Sequence, residues 1–217
     1  FQQGLNIIRQ VKMRFPTCKA FIGGPHATLL GQKAIQVADV VDYVGLGDCL
    51  DESAKVIQKL LGGIEPVERL IREQKDEHLT FDSIVPDYSF WQGDRYFPVF
   101  PIELSRGCSH RCPYCSDPVL RRRVRSRSAS TLLTEIKRLA DEYGARYFRF
   151  VDSSVTSSRL ELENLLRMMA AEQLPVKWSA YAYPNEIDET IAKALSAAGC
   201  VALFLGVESL SQNVITG

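Results

Sequence analysis

Three cysteines within eight residues, Cys108-Ser-His-Arg-Cys112-Pro-Tyr-Cys115, constrain this chain more than any other stretch. Their spacing is Cys-x3-Cys-x2-Cys. The apolar run Phe97-Pro-Val-Phe-Pro-Ile-Glu-Leu precedes them and closes with Ser105-Arg106-Gly107. This reads as a buried strand that delivers a cysteine loop at its C-terminal end, where barrel-type enzymes carry their chemistry. Paired as disulfides, the three would leave one thiol over. Six cysteines in 217 residues is also not the composition of a disulfide scaffold. A structural zinc site usually takes four protein ligands, often as two separated Cys-x2-Cys pairs. Here only His110 offers a nearby fourth ligand, and no second pair follows. A [4Fe–4S] cluster on three thiolates leaves one iron without a protein ligand, open to a small molecule. The cluster, a zinc ion and structural thiols are the readings the spacing allows, in that order.

Composition narrows the setting. At 217 residues and 46% hydrophobic, one or two domains with full cores are expected. Lys+Arg and Asp+Glu are equal at 26 each, which gives no case for nucleic acid or an anionic membrane as partner. No run of eighteen apolar residues occurs, so no membrane span is expected. No signal peptide is visible at Phe1, although the chain does not begin with Met. Thiols kept reduced for a cluster point to a cytoplasmic protein.

Ahead of the cysteines the chain alternates helix and strand. Leu5, Ile8, Val11 and Phe15 stand at near-helical spacing, and Pro16 stops the pattern. Cys18–Ile22 reads as a short strand running into Gly23-Gly24-Pro25-His26-Ala27-Thr28. Two glycines at a strand end permit a tight turn and close approach of a ligand to backbone. A helix through Lys33–Val37, a strand at Val40–Val44 and the glycine turn Gly45-Leu-Gly47-Asp48 follow. A helix over Asp51–Leu61 should turn Ala54, Ile57, Leu60 and Leu61 inward, closed by Gly62-Gly63. This order fits the second half of an open, doubly wound α/β unit. Residues 64–96 lack a clean period and read as an interdomain linker with aromatic anchors, Phe90 and Trp91 among them. The run Arg72–Glu77 within it reads as a solvated face.

Behind the cysteines, five arginines fall in the seven residues Arg121–Arg127. Without interleaved aromatics they read as structural rather than as a nucleic-acid patch, with one near substrate left open. The pattern then becomes regular. Ser130 or Thr131 should cap a helix carrying Leu132, Ile136, Leu139, Ala140 and Tyr143, ended by Gly144. Tyr147–Val151 is a strand leading to Asp152-Ser153-Ser154. Ser158 and Glu161 should form a capping box on a helix that buries Leu162, Leu165, Leu166 and Met169. Met168-Met169 reads as core. A strand at Val176–Tyr181, a helix at Asp188–Ala198 and a strand at Val201–Leu205 follow, the last ending in Gly206-Val-Glu208-Ser209. Four strands alternating with helices argue for a parallel sheet.

The cysteine spacing, with the aromatic Tyr114 before its last cysteine, resembles the radical S-adenosylmethionine (SAM) superfamily. Gly23-Gly24-Pro-His-Ala-Thr, the Val-Asp-Tyr-Val strand and Gly45-Leu-Gly47-Asp48 together resemble the cobalamin-binding domain that precedes the radical SAM domain in one class. The Asp87-Tyr-Ser and Asp94-Arg-Tyr-Phe stretches are similar to a subgroup that matures peptide natural products.

The resemblance implies an α/β fold. It would comprise the C-terminal half of a Rossmann-like cobalamin-binding domain (1–63), a linker (64–96), and the first four βα units of a partial (β/α)6 radical SAM barrel (97–217). It implies a [4Fe–4S] cluster on Cys108, Cys112 and Cys115 whose open iron is chelated by SAM, and cleavage of SAM to a 5′-deoxyadenosyl radical. Methylation of an unactivated carbon through cobalamin would follow. Gly23 and Gly24 would border the cofactor's nucleotide tail, and Tyr114 would lie in the cluster loop. Asp152 and Ser153 would meet the SAM amino group, with Ser179, Tyr181, Glu208 and Ser209 at neighbouring strand ends. Asp152 as a turn cap and Glu208 as partner of an arginine are the plain alternatives. The Asp-x-His-x-x-Gly motif that supplies an axial histidine in many relatives does not occur in this sequence, and typical members continue past Gly217. The implied partners are a small-molecule or peptide substrate and an electron donor such as flavodoxin or ferredoxin. The competing functions are cobalamin-associated cyclisation or rearrangement, and a non-catalytic cysteine–zinc module.

Overall fold

The computed structural model describes residues 1–37, 39–72, 82, 86–89, 98–121 and 123–211. Phe97 at the head of the strand before the cysteines, the charge run after Arg72, the anchors Phe90 and Trp91, the Asp94-Arg-Tyr-Phe stretch, Arg122 and the chain from 212 onward lie outside the described residues. The chain divides into two compact units: Phe1–Leu79 with Arg111–Arg122, and Thr80–His110 with Arg123–Gly217.

The first unit runs α1 (Gln2–Arg14), β1 (Phe21–Ile22), α2 (Pro25–Leu30), α3 (Lys33–Val37), β2 (Tyr43–Leu46), α4 (Leu50–Leu61) and β3 (Leu70–Arg72). The short helix α5 (Asp117–Leu120) also belongs to it. Its strands are parallel, in the order β1-β2-β3. Every residue of β2 is buried, as in a central strand covered on both faces. Asp42 ties α1 to the strand layer, accepting from the Ala20 N–H at 2.7 Å and from Lys12 at 2.5 Å.

Three expectations change here. β3 lies inside the stretch read as a linker and pairs with β2. In α1 only Leu5 is buried, while Val11 and Phe15 are exposed. In α4 Val56 and Leu60 pack with Tyr43, Cys49 and Ile71, Glu52 is buried, and Ala54, Ile57 and Leu61 point outward. The apolar residues of α4 share one broad arc, and only its Val56–Leu60 edge packs, which periodicity alone does not decide.

The second unit runs β4 (Val99–Ile102), β5 (Ser105–Arg106), β6 (Arg125–Ser126), α6 (Ala129–Glu142), β7 (Tyr147–Phe150), α7 (Arg159–Glu172), β8 (Lys177–Ala182), α8 (Glu189–Ala197) and β9 (Cys200–Leu205). Strands β4-β7-β8-β9 form one sheet, and each neighbouring pair is parallel. Alternation sorts the two faces. On β8, Trp178, Ala180 and Ala182 are buried while Lys177, Ser179 and Tyr181 lie opposite. The buried face packs against Leu132, Ile136 and Leu139 of α6, Leu162, Leu165 and Met169 of α7, and Ile191 and Leu195 of α8. Trp178 donates its indole N–H to the Ala198 carbonyl at 2.8 Å, so its polar atom is satisfied inside the core.

Two caps differ from expectation. Ser128, not Ser130 or Thr131, caps α6 by accepting from the Thr131 N–H. The Ser158–Glu161 capping box does not form. A 3-10 turn, Val155–Ser158, runs straight into α7, and Glu161 instead accepts from the Ala129 N–H at 2.7 Å, at the start of α6. The acidic side chain serves a neighbouring helix N-terminus rather than its own, with the same electrostatic logic.

Candidate functional site

The cysteine loop is prepared by the strand before it. Beyond β4, the Leu104 N–H, Ser105 N–H and Ser105 hydroxyl all donate to the Asp152 carboxylate, at 3.1, 2.6 and 2.9 Å. Asp152 is 2% exposed. Burial raises its pKa to about 6, and the N–H groups of Leu104 and Ser105 pull the other way. Expected to meet a ligand's amino group, Asp152 instead turns both oxygens inward and fixes the backbone that leads to the cysteines; Ser153 beside it is exposed. The antiparallel pairing of β5 with β6 brackets the loop. Gly107, directly before Cys108, has φ +93, and a Cβ there would lie 2.8 Å from the Arg123 carbonyl oxygen, so only glycine fits.

All six cysteines are free of disulfides. The Cys108 sulfur accepts from the His110 N–H at 3.5 Å, and the Cys115 sulfur from the Asp117 N–H at 3.4 Å. Cys112 and Cys115 are joined by a backbone bond, from the Cys115 N–H to the Cys112 carbonyl at 3.0 Å. Tyr114 is 68% exposed. The head of the loop is anchored within the second unit. Ser157 Oγ accepts from the Ser109 N–H at 3.2 Å. His110 Nε2 lies 2.9 Å from Glu186 Oε1, and its ring stacks on Tyr183 with centroids 3.7 Å apart. Arg159 donates to the Glu186 carbonyl at 2.8 Å. Glu186, Tyr183 and Ser157 carried no sequence signal: they stand tens of residues from the cysteines in ordinary turn segments.

The remaining candidates scatter along the strand ends. Ser179 Oγ accepts from Arg149 Nη1 at 3.0 Å, so its described partner is a protein side chain. Tyr181 is 51% exposed. Glu208 is exposed and stands at φ +59, the centre of a turn closed by the Ser209 N–H on the Val207 carbonyl at 2.6 Å. A non-glycine residue there is strained, a condition that concentrates at functional sites. In the first unit Gly24 is the N-cap of α2 at φ +85, and a Cβ on it would meet nothing within 4 Å, while one on Gly23 would meet only the Gly45 carbonyl oxygen at 3.6 Å. Sequence reasoning missed Arg149. An arginine inside the apolar strand Tyr147-Phe-Arg-Phe was the available signal.

The donor set fits an iron–sulfur cluster by its chemistry: three disulfide-free thiols within eight residues of the sequence, two already accepting backbone N–H groups of the kind that steady thiolate charge. Among the described residues no three His, Cys, Asp or Glu gather as ligands of a single ion. A four-iron cluster does not ask for that, since each thiolate takes its own iron. For cobalamin, the open backbone at Gly23-Gly24 fits close approach of a ligand.

The radical SAM superfamily description matches residues 102–216, just over half of the chain. The chain belongs to that superfamily. An uncharacterized methyltransferase of Pyrococcus horikoshii is 26% identical over 212 residues, covering 89% of this chain and 46% of the relative. The anaerobic magnesium-protoporphyrin IX monomethyl ester cyclase of Cereibacter sphaeroides is 26% identical over 225 aligned positions, covering 91% of this chain and 36% of the relative. The chain thus spans less than half the length of these relatives. In fold it resembles the radical SAM methyltransferase TsrM of Kitasatospora setae, solved with cobalamin and a [4Fe-4S] cluster, with TM-score 0.76 at 18% identity over all of this chain and 46% of that one. The mixed α/β architecture with parallel sheets is therefore a known one. Among the described residues no helix is long and apolar enough to cross a membrane.

Proposed function

We propose that this chain is the cofactor-bearing part of a cobalamin-dependent radical SAM methyltransferase. In this reading residues 1–63 are the C-terminal half of a Rossmann-like cobalamin domain and residues 97–217 the opening of a partial (β/α)6 barrel. The observation that carries the reading is the Cys108–Cys112–Cys115 loop, set beyond β4 by the Asp152 clamp inside a stretch that matches the superfamily. A cluster on these thiolates would supply an electron and an iron free to chelate SAM, and cobalamin would supply a methyl carrier.

The chain's own residues have definable tasks. Asp152 keeps Leu104–Ser105 at the height the loop requires. His110, held by Glu186 and Tyr183, fixes the first turn of the loop. Glu208 and Ser209 present polar groups beyond β9, with Ser153 and Tyr181 near the adjacent strand ends. Gly23 and Gly24 leave room for a cofactor tail. The substrate is a small molecule or peptide, the electron donor a protein such as flavodoxin or ferredoxin, and the setting the reducing cytoplasm.

A second reading, cyclisation or rearrangement instead of methylation, is supported by the 26% identity to the magnesium-protoporphyrin ester cyclase. Anaerobically reconstituted full-length protein, given methyl-labelled SAM and candidate acceptors, separates the two. Label in the product supports methylation, and an unlabelled product with altered ring count supports cyclisation. Zinc without sulfide would overturn both.

A further inference from the structure

Arg149 lies in β7, level with Pro101 on β4 and Ser179 on β8. It faces the side of the sheet opposite the helices. From its bond to Ser179 the side chain runs on toward the strand ends. Its guanidinium carbon stands 4.5 Å from the ring centroid of Tyr181 and 4.1 Å from that of Phe204. Tyr181 and Phe204 are register partners, each one residue short of the end of its strand. Their centroids are 5.4 Å apart and the rings tilt by 51°, so they form an angled wall behind the cation. The guanidinium is thereby carried to the C-terminal edge of the open face, where ligands of parallel α/β sheets sit.

Among the described residues this cation forms no ion pair. Glu103, at the end of the adjoining strand, is held by Arg106 at 2.8 Å, and Asp152 is turned inward on Leu104 and Ser105. Arginine carries five N–H donors in a rigid fork, and Ser179 takes one of them. A planar cation, stacked on one side and with donors of its fork left over, matches a planar two-oxygen anion.

We propose that Arg149 receives the carboxylate of a small molecule bound on the open face, with Tyr181 and Phe204 as its aromatic wall. The placement at the reacting site rests on the radical SAM reading above; the anion chemistry does not. That carboxylate belongs to the substrate, since in that reading SAM is taken up by the open iron.

The test uses full-length reconstituted protein, wild type, R149Q and R149K. Saturation-transfer NMR measures binding of benzoate, phenylacetate and N-acetylalanine against their primary amides, with and without SAM. Equilibrium dialysis measures SAM and decarboxylated SAM, and iron and sulfide are assayed on the same samples. Wild type should prefer acids over amides by about tenfold or more. R149Q should lose that preference and R149K should keep part of it, because lysine lacks the fork. Unchanged SAM affinity in R149Q goes with a substrate carboxylate. A tenfold loss for SAM with decarboxylated SAM unaffected, or equal binding of acids and amides by wild type, overturns the proposal. Failure of the radical SAM reading would show separately, as absent iron and sulfide.

Discussion

Replacing Asp152 by Asn separates the cost of burying this carboxylate from the work it does. Its pKa rises from 3.8 to about 6 on burial. Ionising it inside the fold therefore costs about (6 − 3.8) × 1.36, on the order of 3 kcal/mol, relative to the unfolded chain. The folded pKa lies above the unfolded one, so the native state binds more protons between pH 4 and 6. Wild-type stability from this group is fully present below pH 4 and is lost as pH rises through 6. Asn does not titrate. It also exchanges one acceptor oxygen for an amide NH2, so in either orientation a Leu104 or Ser105 N–H loses its partner, a pH-independent penalty of about 1–3 kcal/mol. The stability of Asp152→Asn minus wild type should thus move by about 3 kcal/mol in the variant's favour between pH 3.5 and pH 7. Urea unfolding followed by the buried Trp178, in a Trp91→Phe background, reads this difference. A gap that stays constant within about 1 kcal/mol across the range would refute the reasoning, because the carboxylate would then be no more buried than in the unfolded chain. Cluster retention should fall in the variant even where stability does not, since the orphaned donor releases the strand end before the loop.

Further outcomes follow from the same geometry. His110→Ala removes the bond to Glu186 and the stack on Tyr183, worth about 1–2 kcal/mol together; amide exchange of residues 108–110 in the apo protein should speed up correspondingly, and unchanged exchange would make the anchor ornamental. Gly107→Ala meets the Arg123 carbonyl and a positive φ, so it should lower stability by about 1–3 kcal/mol and weaken cluster uptake, seen by thermal unfolding and iron content. Glu208→Gly should relieve backbone strain and raise stability by about 1 kcal/mol while weakening SAM binding about tenfold or more; Glu208→Gln should weaken SAM binding without the gain, and unchanged SAM affinity in both would remove Glu208 from the site.

Much of the fold was legible because its periods are strong. The strand starting at Tyr147, the inward Leu162-Leu165-Leu166-Met169 line and the helix that follows Asp188 all follow from local pattern, and the four-stranded parallel sheet follows from their alternation. The α4 face was not legible in detail, because its apolar residues form one broad arc and only tertiary partners chose the Val56 edge over Ile57. The capping box failed for a related reason: Glu161 was free to reach either its own helix or the start of α6, and no local rule decides between them. Within the site the three thiols announce themselves by spacing. The groups that hold them in place do not, since Asp152 acts on Leu104 and Glu186 on His110 across large sequence separations. Asp152 was read as a ligand contact because a carboxylate at a strand end fits both roles, and only burial tells them apart.

The account rests most heavily on the cluster at Cys108, Cys112 and Cys115, and the EPR of the reduced protein with and without SAM tests it most directly. The wild type should hold about four irons and four sulfides, and its signal should shift when SAM reaches the open iron. Cys112→Ala should lose both the iron and the signal, while Cys18→Ala, Cys49→Ala and Cys200→Ala keep them. A cluster that survives Cys112→Ala, or a wild-type signal indifferent to SAM, would contradict the account.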